Sequence, residues 1–207
     1  MNQIVAKRLL LTGAPKTQRR KANTDEQLIR RMQQGDMQAF DELYERYKND
    51  AYRIACLITG NRADGEDLTQ EAFVTCVRSI GSLKDGSKFR PWLLRTLTRA
   101  AWKYCRKAKR ETPVAEFFET GTSESALSTV LRTDEQRRLY EAMYALDEKR
   151  RTVLVLYYFD NRPVKEIART LGVTEGTVKS RLFSARRHLR QALTEKEGKP
   201  EEAVTHG

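Results

Sequence analysis

Cysteine, histidine, proline and glycine are all scarce in this sequence, and each shortage excludes something. The 207 residues hold three cysteines (Cys56, Cys76, Cys105) and two histidines (His188, His206). They form no CxxC pair and no familiar metal-ligand spacing, which argues against a disulfide framework, a zinc knuckle and a metalloenzyme. An odd count of thiols is expected to be reduced and mostly buried. Five prolines and 11 glycines exclude a collagen-like or Pro-rich chain. No run of about 18 apolar residues exists, so no membrane insertion of its own is expected. Leu9, Leu10 and Leu11 follow Lys7 and Arg8, but Thr12 and Gly13 end the run. That is shorter than a signal-peptide core of about 7–15 residues, and the expected location is the cytoplasm. Alternating strand patterns are missing throughout.

Basic residues are abundant. Lys and Arg number 39 against 28 Asp and Glu, a net charge of +11. Such a surplus points to a polyanionic partner, nucleic acid first, although many soluble proteins are basic. Hydrophobic residues make up 39% of the chain and are spread along it, which argues against wholesale disorder.

Periodicity is helical in nearly every patterned stretch. Thr24-Asp25-Glu26-Gln27 reads as a capping box. Phe40, Leu43, Tyr44, Tyr47, Ala51, Ile54 and Ile58 follow at i, i+3, i+4 spacings, and Gly60-Asn61 ends that helix. A third helix is expected over about 64–80 and a fourth from Phe89 to about Lys109. Composition then changes. Residues 111–131 hold four acids, no base, and nine Gly, Ser, Thr or Pro, which reads as an acidic flexible linker. Its Phe117 and Phe118 either dock locally or bind a partner. Helical spacing resumes near Thr133. The expected fold is all-α, with two small helical domains (24–110 and 132–194) joined by that linker. Residues 1–23 and 195–207 are expected to be a disordered basic extension and a disordered tail.

Between Pro163 and Leu189, Ala168, Gly172 and Val178 fall at the spacing of a helix-turn-helix. A small residue is needed where the helices cross, Gly where the turn takes positive φ, and an apolar residue to seat the second helix. Thr174 is a good N-cap. At about 100° per residue, Val178, Leu182, Ala185 and Leu189 face a core, while Gly176, Ser180, Phe183, Ser184 and Arg187 face away, flanked by Lys179 and Arg190. Residues 176–194 carry five bases and no acid. That outer face suits the major groove; an αα-hairpin with a solvated basic face is the plainer alternative.

A second cationic surface lies upstream. Residues 88–110 hold nine Lys or Arg and no acid. Arg95, Arg99, Lys103, Arg106 and Arg110 make one stripe, and Trp102 borders it. Aromatics beside cations can stack on unpaired bases while the cations hold phosphate. Trp102 is therefore expected to be exposed. Trp92 is equally well read as core packing, and the stripe as a solvated face.

Together these features resemble the small two-domain sigma factors of bacterial RNA polymerase, the extracytoplasmic-function (ECF) group of the sigma-70 family. DLTQEAF (67–73) and GTVKSRL (176–182), in this order, carry the resemblance most specifically, and it covers about residues 24–194. It implies a dissociable initiation factor that binds core RNA polymerase, recognises −35 and −10 promoter elements and promotes melting, with no catalytic residue and no cofactor. Asp67, Gln70 and Glu71 would bind a coiled coil of the polymerase's largest subunit; their spacing puts them on one helix face, which could also be merely a solvated acidic face. Ser82, Leu83, Lys84 and Asp85 would form the loop that captures a flipped −10 base, with Arg95, Arg99, Trp102, Lys103 and Arg106 holding the single strand. Lys179, Ser180, Phe183 and Ser184 would read the −35 duplex, with Thr177 and Arg187 completing that surface. An opposing anti-sigma protein, which could hold the factor at the inner face of the membrane, is implied as well.

The chain departs from the family pattern at Arg99 and Lys103, where Asn and Asp are frequent, which leaves its −10 preference open. Leu146-Asp147 stands where Leu-Pro usually opens a helix, and Asp147 serves as an N-cap instead. Residues 1–22, with six Lys or Arg and no acid, are either an arm touching DNA or a mis-assigned start. Two rival functions fit less well. A stand-alone helix-turn-helix regulator would need two reading heads and leaves the Trp/Arg helix unexplained. A DNA recombinase would need a nucleophile with convergent activating groups or a metal-binding carboxylate cluster, and no such constellation is visible.

Overall fold

The computed structural model describes residues 23–111 and 134–197. The expected extension, most of the linker with Phe117 and Phe118, and the last ten residues lie outside the described residues. All regular structure among the described residues is helical: α1 (Asp25–Gln33), α2 (Met37–Thr59), α3 (Arg62–Arg78), α4 (Phe89–Glu111), α5 (Asp134–Tyr144), α6 (Glu148–Tyr158), α7 (Val164–Leu171) and α8 (Glu175–Glu197). Two 3₁₀ turns, Ile80–Ser82 and Gly86–Lys88, connect α3 to α4.

Local chemistry accounts for the helix ends. Thr24 Oγ1 accepts from the Gln27 amide at 3.3 Å, and the Thr24 amide donates to Gln27 Oε1 at 2.9 Å, completing the capping box. Asp147 accepts from the amides of Lys149 (3.1 Å) and Arg150 (2.9 Å), so it is the N-cap of α6. Gly60 stops α2 at φ +89°, where its amide still reaches the Cys56 carbonyl at 2.8 Å.

The N-terminal core gathers Leu28, Ile29, Leu43, Ile54, Ile58, Phe73, Phe89, Leu93 and Leu97, all at most 2% exposed. Gly65 sets the approach of α3 to α2. A Cβ there would lie 2.4 Å from Cys56 Sγ and 3.0 Å from the Cys56 backbone nitrogen. Gly65→Ala is expected to overpack this contact and destabilise the protein by roughly 1–3 kcal/mol, read as a lower denaturant midpoint at unchanged slope. All three cysteines are free and buried. Burial pushes the Cys76 thiol up to about 12 and raises Cys56 too, so these two hold less thiolate at neutral pH than an exposed cysteine does.

In the C-terminal region α8 packs across α5, α6 and α7, burying Met143, Val153, Leu156, Ile167, Val178, Leu182, Ala185 and Leu189. Helix α8 continues to Glu197, past the expected boundary at 194.

The two helical regions also pack on each other. Helix α2 meets α6, and α4 meets α6 and α7. Their buried apolar residues join one contiguous cluster. Arg90 of α4 donates to Asp160, just after α6, at 2.5 Å, and lies 3.3 Å from Asp50 of α2. Burial raises the Asp160 carboxyl above its ordinary range, and the hydrogen bond from Arg90 offsets that only in part. Tyr144 of α5 lies over Gly60 and Cys56; its hydroxyl is 3.5 Å from the Cys56 carbonyl.

Candidate nucleic-acid interface

The helix-turn-helix is α7, a turn at Gly172 and α8. Gly172 sits at φ +67°, ψ 40°, the left-handed region that the turn requires. Ala168 is buried at the crossing and its carbonyl accepts from the Val173 amide at 3.0 Å. Thr174 Oγ1 accepts from the Thr177 amide at 3.1 Å and lies 2.9 Å from the Thr177 hydroxyl, so Thr177 is half-buried in the cap. Val178, Leu182, Ala185 and Leu189 seat α8, which leaves Lys179, Ser180, Phe183 and Arg187 exposed and Ser184 half-buried. Phe183 is 68% exposed. So large an apolar ring in water is informative about a partner when it stands among polar and cationic groups.

Two nearby features escaped the sequence reading. A polar pocket of about 220 Å³ joins Ser184 and Arg187 to Arg150, His188, Gln191 and Asp147. Arg186 is clamped by Tyr157 and Tyr158, 5.3 and 5.5 Å from their ring centres, and donates to the Tyr158 hydroxyl at 2.9 Å. The helical projection placed Arg187 and Ser184 but could not show that Arg150 and the tyrosines of α6 face the same side.

The cationic helix is α4. Arg99, Lys103 and Arg106 are exposed, as the stripe predicts. Arg95 and Trp102 are not free. Arg95 is half-buried, and its Nη2 would lie 2.3 Å from a Cβ placed on Gly172, so the guanidinium covers the turn of the helix-turn-helix. Trp102 is half-buried and its Nε1 donates to Thr152 Oγ1 of α6 at 2.8 Å. The expectation of an exposed Trp102 is corrected here: its partner lies fifty positions along the chain, where helical spacing carries no information. Trp92 packs edge-on against Phe89 at 6.2 Å, in keeping with the core reading.

The loop between α3 and α4 is braced rather than loose. Gln33 Nε2 donates to the carbonyls of Ile80 (3.0 Å) and Leu83 (2.9 Å). Asp85 accepts from the Ser87 amide at 3.1 Å and pairs with Lys88 at 2.8 Å; Lys88 and then Ser87 hold its carboxyl below the usual range. Gly86 lets the loop touch α1, since a Cβ there would lie 2.7 Å from the Glu26 Cα. Ser82 and Lys84 remain exposed, and Leu83 and Asp85 are half-buried.

On α3, Asp67, Gln70 and Glu71 are all exposed on one face. Val74 continues that face and is 47% exposed. It is an apolar centre that the sequence reading missed, although its spacing, three and four positions beyond Glu71 and Gln70, puts it on that face. Among the described residues no group of three or more His, Cys, Asp or Glu could hold a metal ion, and no helix is long and apolar enough to cross a membrane.

Comparison with known proteins gives the same two halves. Residues 43–111 match the model of Sigma-70 region 2, and residues 136–189 that of Sigma-70, region 4. The RNA polymerase sigma-H factor of Pseudomonas aeruginosa is 31% identical over 180 residues, 82% of this chain and 93% of that protein. The ECF RNA polymerase sigma-E factor of Haemophilus influenzae is 32% identical over 176 residues, 79% of this chain and 92% of the relative. Among solved structures, CnrH in complex with the cytosolic domain of CnrY has a similar fold, with a TM-score of 0.63, 22% identity, and coverage of 84% of this chain and 99% of CnrH. The sigma factor RpoE of Bartonella quintana, solved with the anti-sigma factor NepR, has a TM-score of 0.58 at 21% identity over 75% of this chain and 96% of RpoE. With regions 2 and 4 in family order and relatives aligned over nearly their whole length, the chain belongs to the ECF group of the sigma-70 family: it is a non-enzymatic transcription-initiation factor that binds core RNA polymerase and promoter DNA.

Proposed function

We propose that the three surfaces divide the work of initiation. Helix α8 reads the −35 duplex through Thr177, Lys179, Ser180, Phe183, Ser184 and Arg187. The braced loop Ser82–Asp85 captures an extruded −10 base, and Arg95, Arg99, Trp102, Lys103 and Arg106 of α4 hold the melted strand. Asp67, Gln70 and Glu71, around exposed Val74, dock on core polymerase. The two domains of this division are the unit of α1–α4 and the unit of α5–α8, joined in sequence by the acidic linker. The factor works in the cytoplasm and is opposed by an anti-sigma protein; relatives solved with such partners support that reading. The observation that carries the assignment most strongly is Phe183, 68% exposed between Lys179 and Arg187 on the open face of the helix-turn-helix.

The division is tested by run-off transcription with core polymerase on fragmented host DNA. New transcripts whose starts share two upstream motifs are expected. In that system Trp102→Ala is expected to weaken promoter opening by about 1–3 kcal/mol, the worth of one stacked base, and to leave duplex −35 binding nearly unchanged. Equal losses in both assays would remove the stacking role.

A further inference from the structure

The polar pocket between α6 and α8 is dominated by hydrogen-bond donors. It measures about 220 Å³ and is lined by Asp147, Arg150, Ser184, Arg187, His188 and Gln191. Its one carboxylate is already engaged. Asp147 Oδ1 accepts from the amides of Lys149 and Arg150, and Oδ2 pairs with the Arg150 guanidinium at 2.9 Å. The side chains of Ser184, Arg187, His188 and Gln191 have no hydrogen-bond or ion-pair partner among the described residues. His188 Nε2 is shielded from solvent and still unpaired, and a buried polar atom in that state is costly. Each guanidinium brings five N–H donors and no acceptor. What completes such a pocket is an anion rich in acceptor oxygens.

Two observations choose the anion. The pocket shares Ser184 and Arg187 with the outer face that carries exposed Lys179, Ser180 and Phe183. Its occupant therefore lies on the side of α8 assigned above to duplex DNA. The spacing along α8 also matches the duplex. Base edges are read by the first turns of a recognition helix. From Lys179 to Arg187 the helix rises about 12 Å, and the major groove is about 12 Å wide. With Lys179 at the base edges, Arg187 and His188 stand at the wall of the groove, where the phosphates are. Arg150 reaches the same place from the start of α6, its guanidinium oriented by Asp147. Planar guanidinium groups match phosphate oxygens in bidentate fashion.

We propose that this pocket seats one backbone phosphate of the duplex flanking the −35 element, with Arg150, Arg187, His188 and Gln191 as its donors. This rests on the reading of α8 as the −35 head. It gives Arg187 a phosphate to hold rather than a base to read, and it brings α6 into the DNA surface. A phosphate contact fixes register and orientation and carries no sequence information of its own. The pocket then sets how far α8 slides along the groove, and Lys179, Ser180 and Phe183 read whatever bases that register presents.

The test titrates the full chain with two duplexes at several salt concentrations. One carries the −35 motif shared by the run-off transcripts, and the other has that motif scrambled. Arg150→Gln is expected to weaken both about tenfold, the order of one charge-assisted hydrogen bond, and to lower the slope of log K against log salt by about 0.9. Gln191→Leu should weaken both with the slope unchanged, since it removes a donor and no charge. Both residues are exposed, so folding is little affected, and Asp147 keeps its amide contacts. Phe183→Ala is the contrast and should weaken the −35 duplex more than the scrambled one. A methylphosphonate scan, which neutralises one phosphate at a time, then locates the seat: one position should matter to the wild type and much less to Arg150→Gln. Unchanged affinity and slope in both pocket variants would overturn the phosphate seat, and Phe183→Ala would then judge the −35 reading separately. Equal sensitivity of wild type and Arg150→Gln at every phosphate would overturn it as well. A loss confined to the −35 duplex would make the contact one with a base. Lost transcription with core polymerase at unchanged duplex affinity would give the pocket an acidic protein surface instead, and either result would overturn the proposal.

Discussion

Reversing the charge at Lys179 and Arg187 together, as Lys179→Glu with Arg187→Glu, is expected to abolish −35 recognition while core-polymerase binding persists. Both side chains are exposed on the outer face of α8, so reversal leaves the seat formed by Val178, Leu182, Ala185 and Leu189 intact. Exposed substitutions of this kind shift folding stability by no more than about 0.5 kcal/mol. The effect on DNA is larger. Two contacts at about 1–3 kcal/mol each give about 2–6 kcal/mol, at least about thirtyfold in affinity, before the new repulsion from phosphate is counted. The salt dependence should change as well: removing one phosphate neutralisation lowers the slope of log K against log salt by about 0.9. Duplex titrations at several salt concentrations, beside a polymerase pull-down, check this. If polymerase binding fell in parallel with DNA binding, the separation of the two surfaces would be wrong.

The second large effect is expected on α3. Asp67→Lys with Glu71→Lys should remove core-polymerase binding and all factor-dependent transcription, with duplex −35 binding retained. The two carboxylates stand beside half-exposed Val74 on one helix face, the arrangement of an apolar anchor ringed by polar groups that exclude water once a partner covers it. Reversing charges that a complex desolvates costs about 2–5 kcal/mol per pair. Val74→Ala should weaken the same contact less and show little salt dependence, since it removes apolar area and no charge. Competition binding to core polymerase, at low and high salt, separates the two contributions. Retained polymerase binding after the double reversal would show that the α3 face is only a solvated acidic surface.

Much of this molecule was legible without coordinates, for local reasons. A helix cap is settled by atoms three positions apart, so Thr24–Gln27, Asp147 and Thr174 could be read directly. The turn at Gly172 needs a left-handed backbone, and glycine between Ala168 and Val178 announced it. A helical period fixes which side chains share a face, so the exposed Lys179, Ser180 and Phe183, the acidic strip Asp67–Glu71 and the cations Arg99, Lys103 and Arg106 all fell where spacing put them. Charge segregation along the chain, with bases and no acids over 88–110 and 176–194, pointed to polyanions by itself.

What spacing could not supply is which face meets which. Trp102 lies on the boundary of its helix, and periodicity leaves such a residue equally suited to solvent or to a neighbour. Its Thr152 partner, the placement of Arg95 over Gly172 and the pairing of Arg90 with Asp160 all join segments fifty or more positions apart. The gathering of Arg150 and His188 beside Arg187 in one pocket likewise joins separate helices. These choices depend on how one set of helices docks on another, through contacts spread over the whole interface rather than written in any local pattern. The sequence by itself determined an all-helical chain with a DNA-reading head, a cationic stripe and an acidic face; only the tertiary structure decided that part of the stripe is covered, because the residues that cover it belong to the other half of the chain.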